Sequence, residues 1–122
     1  MPKTSILVVE DEGIVAMNTK LALISMGFEV LPIAISGTSA IKIAGRLKPD
    51  LILMDIRLRG KMDGIETTIK LKEIMDIPVI YVTAHTDEQT VERANNTNPN
   101  GLLQKPVDDK TLKKAINKAL GK

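Results

Sequence analysis

Two patterns of hydrophobic and polar positions alternate along this chain. Unbroken apolar runs rich in β-branched residues stand at 5–9, 30–35, 51–54, 79–82 and 101–103, the last being the shortest. Most are apolar on consecutive residues, which is how strands buried on both faces of a parallel sheet read. Segments of helical period separate them. The first sets Ile14, Met17, Leu21 and Ile24 at spacings of three and four, which predicts a single apolar helix face, and Gly27 suits its C-terminus. The second is predicted over about 38–47, with Ala40, Ile43, Ala44 and Leu47 inward, and Pro49 stops it. The third covers about 64–75 and ends before Pro78. The fourth opens on Thr86-Asp87-Glu88-Gln89, a capping-box pattern with Thr86 as the favoured cap, and shows a thin apolar face of Val91 and Ala94. The fifth starts near Asp108 and carries Leu112, Ala115, Ile116, Ala119 and Leu120.

Five strand–helix units in succession predict an α/β fold, a parallel sheet with helices on both faces. Right-handed crossovers leave few topologies, and ligands in such sheets gather at the carboxyl ends of the strands. The 122 residues suit one domain, 1–122. Only one Phe (Phe28), one Tyr (Tyr81) and no Trp are present, so the core must be built from Ile, Leu, Val, Met and Ala. The same scarcity excludes a stacking platform for single-stranded nucleic acid. With no cysteine, a disulfide-stapled secreted fold is impossible, and a reducing cytoplasm is the expected location. No apolar run approaches the ~20 residues of a membrane span. A net charge of +2 is too mild to argue for nucleic acid. Lys110, Lys114 and Lys118, at spacing four, read as a solvated helix face rather than a nucleic-acid surface.

The chemistry-bearing residues fall at the predicted strand ends. The first run is followed by Glu10-Asp11-Glu12, the third by Asp55, the fourth by Thr83-Ala84 and the fifth by Gln104-Lys105-Pro106. Singly, each has an ordinary explanation: acids complementing a helix dipole, a turn Asp, a capping Thr, a solvated Lys. Together, one per strand tip, they form a small set of carboxylates with one hydroxyl and one ammonium. Crowded carboxylates either hold a proton or bind a cation, and an oxygen-only, partly solvated cluster suits Mg2+. A carboxylate can also attack phosphorus to give an acyl phosphate. Phosphoryl transfer needs in-line placement and neutralisation of the equatorial oxygens, roles open to a metal, to Thr83 and to Lys105.

At these residues the chain resembles the receiver domain of two-component response regulators, of the single-domain chemotaxis type. The likeness runs from Ile6 to Leu120 and rests on four motifs in order: ILVVEDE at 6–12, LILMDIRLRGKMDGIE at 51–66, PVIYVTAH at 78–85 and LLQKP at 102–106. It implies a flavodoxin-like (βα)5 fold with strand order 2-1-3-4-5. It implies Asp55 as phosphoacceptor, with Mg2+ (or Mn2+) held by Asp11 directly, Glu10 through water, Asp55 and the backbone carbonyl of Arg57. Thr83, Ala84 and Lys105 would contact the phosphoryl group, and Lys105-Pro106 would be a cis peptide bond. Met62-Asp63-Gly64 resembles the turn that opens the third helix. The implied donor is a sensor histidine kinase or a histidine phosphotransfer protein, and the implied output is contact with a downstream protein. The family often pairs through the fourth helix, fifth strand and fifth helix.

Three departures stand out. Leu102 occupies the position, three before the Lys, where the family commonly carries a switch Tyr or Phe; Tyr81 is the one tyrosine near it. Arg57 and His85 lie two residues beyond Asp55 and Thr83, where side chains flank the phosphoryl group and govern attack by water. Asp55 is followed by a basic loop, Arg57, Arg59 and Lys61, which either attracts a phosphorylated donor or is simply solvated. The expectation is a switch rather than an enzyme, without membrane or direct nucleic-acid contact. No output segment is expected after the fifth helix, unless the chain is a module of a hybrid kinase or multidomain regulator. An aspartate-nucleophile phosphatase would need a second Asp where Arg57 stands. A flavin or nucleotide module would need a glycine-rich loop where Glu10-Asp11-Glu12 stands.

Overall fold

A computed structural model describes residues 3–122. The strands are β1 (Ser5–Val9), β2 (Glu29–Val30), β3 (Leu51–Met54), β4 (Val79–Thr83) and β5 (Gly101–Gln104). The helices are α1 (Gly13–Ser25), α2 (Gly37–Leu47), α3 (Gly64–Ile74), α4 (Glu88–Asn95) and α5 (Asp109–Ala119). All strand pairs are parallel, in the order β2-β1-β3-β4-β5. Strand alternation divides the core in two. Leu7, Val9, Ile52, Met54, Val79 and Tyr81 face α2, α3 and α4, packing with Ala40, Ala44, Ile65, Leu71 and Ala94. Ile6, Val8, Leu51, Leu53 and Ile80 face α1 and α5, packing with Leu23, Leu112 and Ile116.

Three features differ from the pattern-based expectation. The run at 30–35 yields only a two-residue strand and a separate bridge between Val9 and Ala34. One extra residue intrudes between them: the Leu31 N–H donates to the Ile6 carbonyl, but Ala34 rather than Ile33 donates to the Val8 carbonyl, so the register slips by one at a bulge around Pro32 on this edge strand. The predicted inner face of α1 is its outer face. Ile14 is 80% exposed, and Met17, Leu21 and Ile24 are also exposed, while Ala16 and Leu23 are buried. This helix is apolar on two sides, and the true inner row, Ala16, Thr19, Leu23 and Met26, is disguised by a polar Thr. Leu47 is exposed as well, so of the four side chains predicted inward on α2 only Ala40 and Ala44 are fully buried.

Helix starts follow local chemistry. Ser36 and Ser39 form a reciprocal capping box on α2, and Asp63 and Glu66 form one on α3. In α4 the cap is Asp87 rather than Thr86: its carboxylate accepts from the Thr90 N–H. Asp108 caps α5 through the Thr111 N–H. Hydrogen bonds from Thr90 and from Thr111 hold the Asp87 and Asp108 carboxyls below the usual aspartate range. Because both values are depressed in the folded state, their stabilisation is present above the unfolded value of 3.8 and fades as pH falls through the folded one. Asp108→Ala should therefore lower the melting temperature at neutral pH, with the deficit shrinking below pH 3.8, measured by circular dichroism.

Gly64, the first residue of α3, couples this scaffold to the sheet edge. A Cβ built there would collide with the carbonyl oxygen of Asp55, and the Gly64 N–H donates to the Ile56 carbonyl at 2.6 Å. Gly64→Ala forces backbone against backbone. It should cost at least ~1–3 kcal/mol of stability in urea unfolding, the range for overpacking a filled interior.

Candidate functional site

Glu10, Asp55, Thr83 and Lys105 come together at the carboxyl edge of the sheet because each ends or follows a strand of one parallel layer. The ladder holds their backbones. Asp55 N–H donates to the Val9 carbonyl at 3.0 Å, and Lys105 N–H to the Thr83 carbonyl at 2.9 Å. Asp55 and Glu10 are buried carboxylates, 8% and 4% exposed. Asp55 Oδ1 accepts from the Ile56 N–H at 2.7 Å and Oδ2 from Lys105 Nζ at 3.2 Å. Glu10 Oε1 accepts from the same ammonium, and Oε2 from the Glu12 N–H at 3.2 Å. Lys105 is thus half-buried and shared between two acids rather than solvated. Its peptide bond to Pro106 is cis.

Burial pushes the Glu10 carboxyl up, as does the nearby Asp55 charge, while the Lys105 hydrogen bond only partly opposes them. Burial alone would lower the Lys105 ammonium, but its hydrogen bond to Glu10 and the charges of Asp55 and Glu10 outweigh that and raise it. Lys105 therefore stays charged at neutral pH. Its contribution to folding is complete below the ordinary lysine value of 10.5 and lost as pH rises through its folded value.

Asp11 sits at the rim, where its carboxylate accepts from the Arg59 backbone N–H at 3.1 Å and lies 3.6 Å from Arg59 Nε. That contact was not legible from the sequence, in which Arg59 reads as part of a solvated loop. Arg57 is exposed on the same loop. Thr83 is fully buried, and its Oγ1 accepts from the His85 N–H at 3.1 Å, which leaves the hydroxyl proton free to donate. Arg57, Ala84, His85 and Lys105 line a cavity of about 260 Å3 with Asp11 and Asp55. A larger groove of about 560 Å3 opens beside it between α1 and α5, walled by Val15, Ala22, Val107 and Leu112 and reaching Glu10, Asp55 and Lys105. Leu102 does not line either space; it packs into the core on the α2–α4 side.

Oxygen atoms of Glu10, Asp11 and Asp55 lie within 4.8 Å of one another. Three carboxylates face the shared Lys105 ammonium and, at the rim, the exposed Arg59, which leaves one negative charge over, and the donors are all oxygen. This set fits a small hard divalent cation such as Mg2+.

Comparison with known proteins agrees with this geometry. The family model described as the response regulator receiver domain matches residues 6–117. The chain belongs to that family. It is 34% identical to the phyllosphere-induced regulator PhyR of Methylorubrum extorquens, over 96% of this chain and 43% of that protein. It is 30% identical to the transcriptional regulatory protein PdtaR of Mycobacterium tuberculosis, over 96% of this chain and 57% of that protein. The receiver thus spans about half the length of these curated relatives. Among solved structures, the signal receiver domain of a modulated diguanylate cyclase from Desulfovibrio desulfuricans superposes with a TM-score of 0.93 at 37% identity, covering 98% of this chain and 95% of that one. The receiver domain of sensor histidine kinase PA1611 from Pseudomonas aeruginosa superposes with a TM-score of 0.89 at 27% identity, covering 99% and 100%; that structure holds a magnesium ion in its active-site cleft. These relatives give no support to a phosphatase.

Removing the shared ammonium in Lys105→Ala leaves two buried acids unpaired. Stability should fall by about 2 kcal/mol, below the full cost of breaking a fully buried pair because the side chain is partly solvated. Added Mg2+ should raise the melting temperature of that variant more than that of the unaltered protein, since binding to the folded state alone stabilises it. Absence of any increment in both proteins would show that the cluster does not gather the cation.

Proposed function

We propose that this receiver, residues 1–122 as one domain, is a phosphoacceptor switch. Asp55 takes a phosphoryl group from a phosphohistidine on a sensor histidine kinase or histidine phosphotransfer protein. The observation that carries this is the setting of Asp55. It is a buried carboxylate with one oxygen fixed by a backbone N–H and the other on Lys105, at the floor of a cavity rimmed by cations. In the transfer, a P–O bond to Asp55 forms as the P–N bond breaks, and the electron pair passes to the imidazole nitrogen. Asp11, Asp55 and the Arg57 carbonyl, with Glu10 through water, would hold Mg2+ or Mn2+, which when bound neutralises charge on the phosphoryl oxygens. Lys105 exchanges a carboxylate for a phosphoryl oxygen. Thr83 has a free hydroxyl proton to donate to a second oxygen, and Ala84, which lines the same cavity, would offer its backbone N–H to the group. Arg57 and His85 flank the group and limit access of water to it.

On this reading the chain turns over no separate substrate, and its output is contact with a downstream protein. Pairing of two copies through α4, β5 and α5 is part of the proposal. So is a place within a longer regulator or hybrid kinase, given the length of the relatives. Among the described residues, no helix is long and apolar enough to cross a membrane, and we place the domain in the cytoplasm. The exposed stripe of Ile14, Met17, Leu21 and Ile24 begins beside the α1–α5 groove that reaches Asp55. It supports a helical protein as donor, since whatever brings a phosphohistidine to Asp55 must lie against that rim.

Intact-mass measurement after incubation with acetyl phosphate and Mg2+ should show one phosphoryl adduct, lost in Asp55→Asn and with a chelator. No adduct on the unaltered protein under any donor would overturn the reading. Arg57→Ala should shorten the adduct's lifetime. The double change Ile14→Ser, Leu21→Ser should slow transfer from a phosphorylated histidine phosphotransfer protein about tenfold or more. Its uptake from acetyl phosphate should be unaltered.

A further inference from the structure

A second buried polar cluster lies on the α3–α4 side of the sheet, and the transfer chemistry does not use it. Tyr81 is fully buried, and its hydroxyl is 2.8 Å from Thr97 Oγ1. Thr97 commits its own proton to the Ala94 carbonyl at 2.6 Å, so Tyr81 is the donor in that pair. The residues after α4 are tied a second time. Lys72 Nζ, from α3, donates to the Thr97 and Asn98 carbonyls at 2.9 and 3.0 Å, and Asn98 closes the turn with φ of 54°.

The N-terminal end of α4 contrasts with this. Asp87, Glu88 and Gln89 are exposed, the cap is local to the helix, and Ala94 near the far end is the one fully buried residue. The helix is therefore fixed at its C-terminal end and loosely held at the end nearer Thr83 and His85. Tyr81 also stands two residues before Thr83 on one strand face and pairs with Leu102 in the β4–β5 ladder.

We propose that Tyr81 is a positioning residue whose hydroxyl on Thr97 makes the C-terminal end of α4 a fixed pivot. Phosphorylation at Asp55 then swings the N-terminal end of the helix about that point. The pivot rests on the phosphoacceptor reading above; the anchor itself does not.

Amide hydrogen exchange on the full chain tests both. In the unphosphorylated protein, Tyr81→Phe and Thr97→Val should each speed exchange at 96–98 about tenfold, the scale of one lost hydrogen bond, and leave the sheet amides protected. Thr97→Ser, which keeps the hydroxyl, should match the unaltered protein. After acetyl phosphate and Mg2+, the change in protection should be confined to 84–91 in the unaltered protein and in Thr97→Ser. It should spread through 98 in Tyr81→Phe and Thr97→Val, at equal adduct yield. Unchanged exchange at 96–98 in Tyr81→Phe, or a rise across the whole sheet, overturns the anchor. A footprint that already reaches 98 in the unaltered protein, or that is the same in all four, overturns the pivot. Absence of any adduct overturns the Asp55 reading and the pivot with it, while the unphosphorylated comparison still decides the anchor.

Discussion

The Lys105 ammonium, shared between Glu10 and Asp55, is the interaction on which the site depends. A parallel sheet brings strand ends to one edge, and here those ends carry acids. Without a cation between them, two carboxylates buried at this depth would repel and lose hydration together. Lys105 offsets both costs with one charge, and it directly follows β5, the strand most distant in sequence from Glu10. The acidic edge is thus tolerable only once β5 has joined the sheet. The remaining negative charge is one that a divalent cation can neutralise, because it adds to what the ammonium supplies.

Around that edge, close backbone approaches set the geometry more firmly than side-chain packing does. Gly64 lets α3 begin against the Asp55 carbonyl, and the Ile56 N–H orients one Asp55 oxygen. The cations are arranged differently. Arg57 and Arg59 ride on the exposed loop after β3, where ion pairs contribute little to stability and can exchange partners readily. The site is thus a buried acidic floor under an exposed cationic rim.

The molecule also divides its surface. The α1–α5 side carries the larger groove and an apolar stripe next to the acceptor, whereas the α3–α4 side carries a smaller groove of about 430 Å3 whose wall includes Lys72 and Thr97, each tied to backbone carbonyls. Polar ties of this kind are directional and individually modest, so a helix held by them can shift at one end without unpacking a core. The scarcity of aromatic residues gives Tyr81 its weight, since no other large ring is available on β4 or β5.

The sequence by itself determined the strand–helix alternation, the residues at each strand tip and the family motifs, because unbroken apolar runs and capping residues are local properties of the chain. The direction that α1 faces was beyond it: Ile14, Met17, Leu21 and Ile24 keep a helical period whether they meet the sheet or the solvent. It could not show that β2 would pair over only two residues before a one-residue slip let pairing resume at Ala34. Nor could it reveal that Arg59 folds onto Asp11, that Tyr81 reaches Thr97, or that Lys105 is half-buried between two acids. Each of those contacts joins residues far apart in the chain or on different elements. Their partners are chosen by how the layers stack, and that choice exists only in the tertiary structure.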